Sequence, residues 1–368
     1  TNNGTITASG GKLILSGQIA GAGALQAAAS SVLDLTAGET LDEAVGGAGT
    51  LELGGAFQLG SGALSVANIS IDAGASLSGA ATLTGSIGDA GTLAAAGGIL
   101  TVKGKISGGG TLAAGAGAVL NLAGGGYFNG NFSGMGTVDI SSALTLNQGA
   151  AFSAATMDEA ANITLDANTA LCLAAGAALD MTAAASATVD LHGPSTSSFT
   201  NNGNLVGNGA GTAELNVAVI NNASVSVGSG TLSFLSTLTN NGTIDASAGL
   251  LSVKDMVAGT GVLQIGATGT MSLLLGAGTG QTVDFLASTG LLDLTKPIDF
   301  TGLINGFAGS DVIDLLKAPE TSYGFSNNVL TIMDGTKTEA SLHFGGGYNL
   351  ADFSVTKDTN GGTFVKFV

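Results

Sequence analysis

The hexapeptide Thr1-Asn2-Asn3-Gly4-Thr5-Ile6 returns unchanged as Thr239-Asn240-Asn241-Gly242-Thr243-Ile244. Looser copies stand at Thr200-Asn201-Asn202-Gly203 and at Asn221-Asn222-Ala223-Ser224-Val225. The leading asparagines of the later copies, Asn201, Asn221 and Asn240, are 20 and then 19 residues apart. A fixed period of this size marks a solenoid, in which each repeat is one coil stacked on its neighbour. The chain is therefore read as a count of coils rather than as a search for globular domains.

A second phrase, glycine–small residue–glycine followed by Thr, Ala or Val, reinforces the pattern. It starts at Gly21, Gly47, Gly108, Gly134 and Gly259, with gaps of 26, 61, 26 and 125 residues. Those gaps read as one, three, one and six coils of 20 to 26 residues. Glycine supplies the left-handed backbone that a tight corner needs, and the following pair opens the next strand. Between corners, apolar and polar residues alternate, as in Thr50-Leu51-Glu52-Leu53 and Val119-Leu120-Asn121-Leu122. Period two places one row inward and one outward. Only Pro194, Pro297 and Pro319 interrupt the strands, and the stretch 154–161 is the best candidate for a helical turn or loop.

Small residues suit a core only one coil wide, since Ala and Gly fit corners while Leu, Ile and Val stack along flat faces. From residue 290 onward alanine falls and Phe and Tyr accumulate. This predicts an all-β chain with a solenoid array over 1–289 and a C-terminal β-rich cap over 290–368. At about 20 residues per coil the array has roughly 14 coils and a length of about 65–70 Å.

The charge narrows the partners. Nine lysines and no arginine stand against 26 Asp and Glu, for a formal charge of −17. Such a chain is unsuited to nucleic acid or to an anionic membrane surface. No apolar run is long enough for a membrane-spanning helix. Cys172 is alone in an apolar, strand-like setting and reads as a buried packing residue. The chain starts inside a repeat with neither Met nor a leader pattern, which reads as processing or truncation.

Segments such as Gly46-Gly47-Ala48-Gly49-Thr50-Leu51-Glu52-Leu53-Gly54-Gly55 resemble the passenger repeats of bacterial autotransporters and related β-helical adhesins. The run Ile304-Asn305-Gly306-Phe307-Ala308-Gly309-Ser310-Asp311-Val312-Ile313-Asp314-Leu315 resembles the C-terminal unit of large type I-secreted surface proteins. Val329-Leu330-Thr331-Ile332 and Gly361-Gly362-Thr363 fit that pattern too. The resemblance implies a right-handed parallel β-helix, secretion by a Gram-negative bacterium, and a place outside the cell or on its surface. No outer-membrane barrel follows the repeats, which departs from a self-contained autotransporter.

Candidate chemistry is sparse. His192, with Asp180 and Asp190 nearby in sequence, is the best imidazole, and it reads as a corner histidine; His343 reads as an outward strand position. Asp42-Glu43 and Asp158-Glu159 read as solvated loop charges. A lyase base of the Arg type is lacking, so the chain reads as a non-enzyme without an organic cofactor. Gly306 to Asp311 is a single loose echo of a calcium-binding turn, and it nominates Asp311, Asp314 and Asp358 as calcium ligands. The competing reading is turn-capping aspartates. If Asn201, Asn221 and Asn240 share a corner, their amides stack as a structural ladder about 4.8 Å apart.

The leading functional expectation is a secreted structural protein that assembles with copies of itself, head to tail, into a fibre, surface layer or biofilm matrix. Asn2, Asn3, Thr5 and Ile6 form the expected assembly edge, and Phe353, Phe364 and Phe367 the expected joint. The alternative is a monomeric adhesin segment that binds cell-surface polysaccharide or another host surface.

Overall fold

In the computed structural model, which describes all 368 residues, the alternating stretches form short strands stacked in parallel as a β-solenoid of about 16 turns. The residues fall into two units, Thr1–Leu179 and Asp180–Val368. No helix is long and apolar enough to cross a membrane.

Within Thr1–Leu179, each coil contributes to three faces. Thr5–Ala8 pairs with Ala24–Ala27 on the first face and Lys12–Leu15 with Val32–Leu35 on the second. Thr40–Leu41 pairs with Ala56–Leu59 on the third. Ile6 faces Leu25 after 19 residues, and Leu13 faces Leu33 after 20. The inward row is dry: Leu33, Leu51, Leu77, Leu93 and Leu112 are all 0 % exposed. Each such side chain contributes about 1.5–3 kcal/mol of burial. Phe132 packs inside the stack edge-on to Phe128 and Phe152 at 5.4 and 5.0 Å.

The 26-residue spacing has a geometric origin that the period alone concealed. The phrase at Gly21 opens the first face, whereas the phrase at Gly47 turns from the first face to the second. One coil plus one face separates them, so coils themselves stay near 20 residues. At Gly47 (φ 117°) a Cβ would sit 2.1 Å from the Ala27 carbonyl oxygen of the preceding coil. Only glycine fits that corner.

The stretch 154–161 is not helical. Thr156–Glu159 is a first-face strand with Met157 and Glu159 inward, paired with Thr137–Ile140. The acidic letters masked an alternation that the neighbouring coil enforces. Glu43 follows the same rule: Leu41, Glu43 and Val45 point inward, and Glu43 is 2 % exposed. Glu43 and Glu159 are therefore buried rather than solvated. Cys172 takes the opposite correction, since it lies half-exposed on the outward row of Ala170–Leu173.

Within Asp180–Val368, one face runs from Thr188–His192 through Thr212–Asn216, Thr231–Phe234, Leu250–Val253 and Thr270–Leu273. It continues through Leu291–Leu294 to Val312–Leu315, still parallel. Parallel stacking thus passes the boundary expected at 290. Composition shifts there because the last coils take on aromatic filling, before the backbone changes direction. The antiparallel part begins after Leu315. Thr363–Phe367 lies antiparallel on Val312–Leu315, and Phe353–Lys357 lies on Thr363–Phe367. On another face, Lys337–Phe344 covers Leu303–Asn305 and carries a meander through Val329–Asp334 to Ser322–Ser326. These added strands pair the last coil's free edges.

Candidate functional site

The corner that precedes the first-face type of strand in unit Asp180–Val368 carries the asparagines. Asn201, Asn221 and Asn240 end the strands Ser198–Asn201, Ala218–Asn221 and Leu238–Asn240, which pair in register. All three are 0 % exposed. Asn201 Nδ2 donates to Asn221 Oδ1 at 2.8 Å, and Asn221 Nδ2 donates to Asn240 Oδ1 at 2.8 Å. The carbonyl oxygens of Asn201 and Asn221 also receive corner amides, Gly203 N at 3.0 Å and Ala223 N at 3.3 Å. The spare amide hydrogens go to backbone carbonyls, Ser224 O and Thr243 O, at 2.8 and 3.2 Å. A buried carboxamide satisfied on every side holds one geometry.

A fourth member of the row, Gln281, was invisible to the asparagine count. In the coil after Asn240 the corner is Gly259-Thr260-Gly261, so a rung is missing. Gln281, one methylene longer and buried, spans that gap. It accepts from Asn240 Nδ2 at 3.0 Å and donates to Asn240 O at 2.8 Å and Ala258 O at 3.0 Å. The signal was its position 41 residues, two coils, beyond Asn240. A second row lies outside, where Asn222 donates to Asn202 and Asn241 donates to Asn222 at 2.9 and 3.1 Å.

In unit Thr1–Leu179, Asn2 builds the same corner. Its Oδ1 accepts from Gly4 N at 3.1 Å and its Nδ2 donates to Ala24 O at 3.2 Å. Asn3 and Thr5 are exposed, and Ile6 is half-buried. Thr5–Ala8 and Lys12–Leu15 pair with the following coil. Ile6, Leu13, Leu15 and Ile19 are half-buried and Ile14 is 56 % exposed, whereas Leu25, Leu33 and Leu35 of the following coil are at most 1 % exposed. Lys12 bridges Asp34 and Glu52 across this end at 2.9 and 3.1 Å.

Asp89 occupies an asparagine-type corner with a different group. Its Oδ1 accepts from Gly91 N at 3.0 Å, as Asn2 accepts from Gly4. Its Oδ2 is buried without a partner. A Cβ on Gly110 would lie 2.7 Å from that oxygen, and a Cβ on Gly23 would lie 2.5 Å from Asn2 Nδ2. The unsatisfied oxygen thus stands where an asparagine keeps its donor. Burial pushes the Asp89 carboxyl up to about 6, against a smaller lowering by the Gly91 N–H.

The three aspartates nominated for calcium have separate duties. Asp311, 0 % exposed, accepts from Gly290 N at 2.8 Å, which joins coils, and from Ala308 N at 2.9 Å, which caps its own turn. Asp358 caps its own turn through Asn360 N and Gly362 N, both at 2.7 Å. Asp314 lies on an outward strand row facing Asp293; burial first, then Asp293 and Asp358, raise its pKa to about 6. No group of three His, Cys, Asp or Glu side chains is placed to hold a metal ion. Turn capping explains Asp311 and Asp358. Asp311→Ala is expected to cost about 2–4 kcal/mol by orphaning two buried N–H groups. Adding calcium is expected to leave the melting temperature of the parent chain unchanged, which differential scanning fluorimetry checks directly.

The tail rings face one another. Phe353, 4 % exposed, packs on Phe344 at 5.0 Å and Phe325 at 5.2 Å, and Phe367 packs on Phe307 and Tyr348 at 6.4 and 6.3 Å. Phe364 is half-buried with Lys366 Nζ 5.3 Å from its ring centre. Phe353 is thus internal filling, unavailable as a joint, because it is buried among Phe325, Phe344 and Tyr348. Among the imidazoles, His192 Nδ1 lies 3.0 Å from Asp190 Oδ2, and His343 is exposed on its strand. Asp180 receives Asn208 Nδ2 at 3.4 Å.

These features define a β-solenoid repeat protein, with parallel coils locked at their corners by glycine and by buried carboxamides. In comparison with known proteins, no family model, no curated protein and no solved structure matches the chain.

Proposed function

We propose that this chain is a secreted, non-catalytic structural protein whose coils associate with other copies in an extracellular fibre, layer or matrix of a Gram-negative bacterium. The observation that carries the reading is the stacked-coil architecture, in which a strand edge accepts another coil through the same parallel pairing. The strands Thr5–Ala8 and Lys12–Leu15 pair with the coil that follows them, and Ile6, Leu13 and Leu15 carry the apolar row that a further coil would cover. An exposed parallel edge backed by apolar side chains templates the addition of another strand. Burial of the internal rings moves the complementary surface away from Phe353 to the outer edges of Phe353–Lys357 and Ser322–Ser326. The joint is then made by backbone pairing rather than by ring insertion.

Light scattering and electron microscopy of the purified chain over a concentration series test this reading. The parent chain is expected to form particles that lengthen with concentration, and Ile6→Lys with Ile14→Glu is expected to reduce them to single subunits while circular dichroism stays unchanged. A parent chain that stays monomeric at the highest concentration, or an edge variant that assembles as well as the parent, would overturn it.

A further inference from the structure

One concave surface in unit Thr1–Leu179 is unlike the rest of the exterior. Tyr127 is 44 % exposed, while Phe57, Phe128, Phe132 and Phe152 of the same unit are buried. The ring of Tyr127 is held at its far end. Asn147 Nδ2 donates to its hydroxyl at 2.6 Å, and that hydroxyl donates to Asp166 Oδ2 at 3.2 Å. Pinned in this way, the ring stands as a wall instead of collapsing onto the strands. Beside it is a cleft of about 620 Å³, within the range of small-ligand sites.

The cleft is built by a glycine run. Gly126 has φ 140°, and a Cβ there would lie 2.0 Å from the Ile106 carbonyl oxygen. Only glycine is tolerated, and the floor is left bare. Ser86, Ser107 and Ser142 border the floor with hydroxyls, and Lys105 supplies the one charge. No carboxylate lines it, although acids outnumber lysines 26 to nine in the chain.

We infer that this cleft binds an oligosaccharide containing uronic acid. A fixed aromatic face with open space beside it suits the C–H face of a sugar ring, and flanking hydroxyls replace the water that sugar hydroxyls lose. Three serine hydroxyls and a lysine along the lining suit a hydroxylated ligand better than a lipid chain or a hydrophobic peptide. Lys105 adds charge-assisted recognition of a carboxylate. The site stands apart from the first-coil edge, so it holds whether or not the subunits associate.

The test is isothermal titration of the full chain with a galacturonate hexamer and, separately, with maltohexaose. The parent is expected to bind the galacturonate more tightly by about tenfold. Tyr127→Ala is expected to weaken both by at least about tenfold, and Lys105→Gln to remove the preference for the anionic sugar. Ser107→Gln, which leaves the ring in place and fills the cleft, is expected to abolish binding and guards against a misfolded tyrosine variant. Binding of neither hexamer by the parent, or binding untouched by Ser107→Gln, would overturn the site. Equal affinity for the two sugars would overturn the uronate assignment.

Discussion

Replacing Asn221 with leucine is expected to destabilise the chain by about 3–5 kcal/mol, while the same change at Asn222 costs less than about 1 kcal/mol. The two residues are adjacent and each is the middle member of an amide row, so sequence context is shared. Burial is what separates them. Asn221 is 0 % exposed, and leucine of similar volume would orphan the Asn201 amide donor bonded to it, the Asn240 acceptor and the corner N–H of Ala223. The two side-chain bonds are buried, so Asn201 and Asn240 lose their partner at full desolvation cost, while the Ala223 N–H is part-buried. Asn222 is exposed, and water replaces whatever leucine removes. Denaturant unfolding gives the totals, and hydrogen exchange at Thr243 to Ala246 locates the loss, since coils stabilise chiefly their neighbours. Equal losses at the two positions would show that the inner row has no special weight.

Asp89→Asn is expected to stabilise the chain by about 2–3 kcal/mol at pH 7.5 and to have almost no effect near pH 3.5. Unfolded, an aspartate titrates near 3.8; here burial raises it to about 6, and no charged neighbour contributes to the shift. Between those values the folded chain holds the proton more tightly than the unfolded chain does. Stability from this group therefore falls as pH rises from about 4 to 6, and above 6 the whole penalty is present. Asparagine never ionises, and its amide would supply the donor that Asn2 supplies to Ala24 O. The difference between variant and parent, from urea unfolding between the two pH values just given and beyond, isolates Asp89 from the other acids. A difference that does not change with pH would refute the asparagine-like role of this corner.

Period and alternation made the coils legible, because a strand's inward row is a local property that survives in the letters. The asparagine corners were legible for the same reason: identical residues recurred at coil spacing. Gln281 was not, since it does the work of an asparagine from two coils away and shares no motif with it. Glu43 and Glu159 carry charges that suggest solvent, yet their phase with Leu41 and Met157 points each carboxylate inward. The boundary near 290 was drawn from composition, yet Leu291–Leu294 and Val312–Leu315 stack like every coil before them. Ring content reports how the core is filled, whereas strand direction depends on long-range pairing that no local window contains. The Tyr127 cleft joins residues from 86 to 143 and depends on a bare glycine floor, so it had no linear signature.

The buried amide row also answers a problem peculiar to stacked coils. A coil displaced by two residues keeps every apolar side chain inward, and Leu, Ile and Val columns scarcely distinguish such a slip from correct threading. Carboxamides do distinguish it, since a two-residue displacement would strand Asn201, Asn221 and Asn240 among hydrocarbon with nothing to bond. The row acts as a proofreader of alignment, rejecting misthreaded stacks by the desolvation cost of unanswered amides rather than by any gain in the correct one.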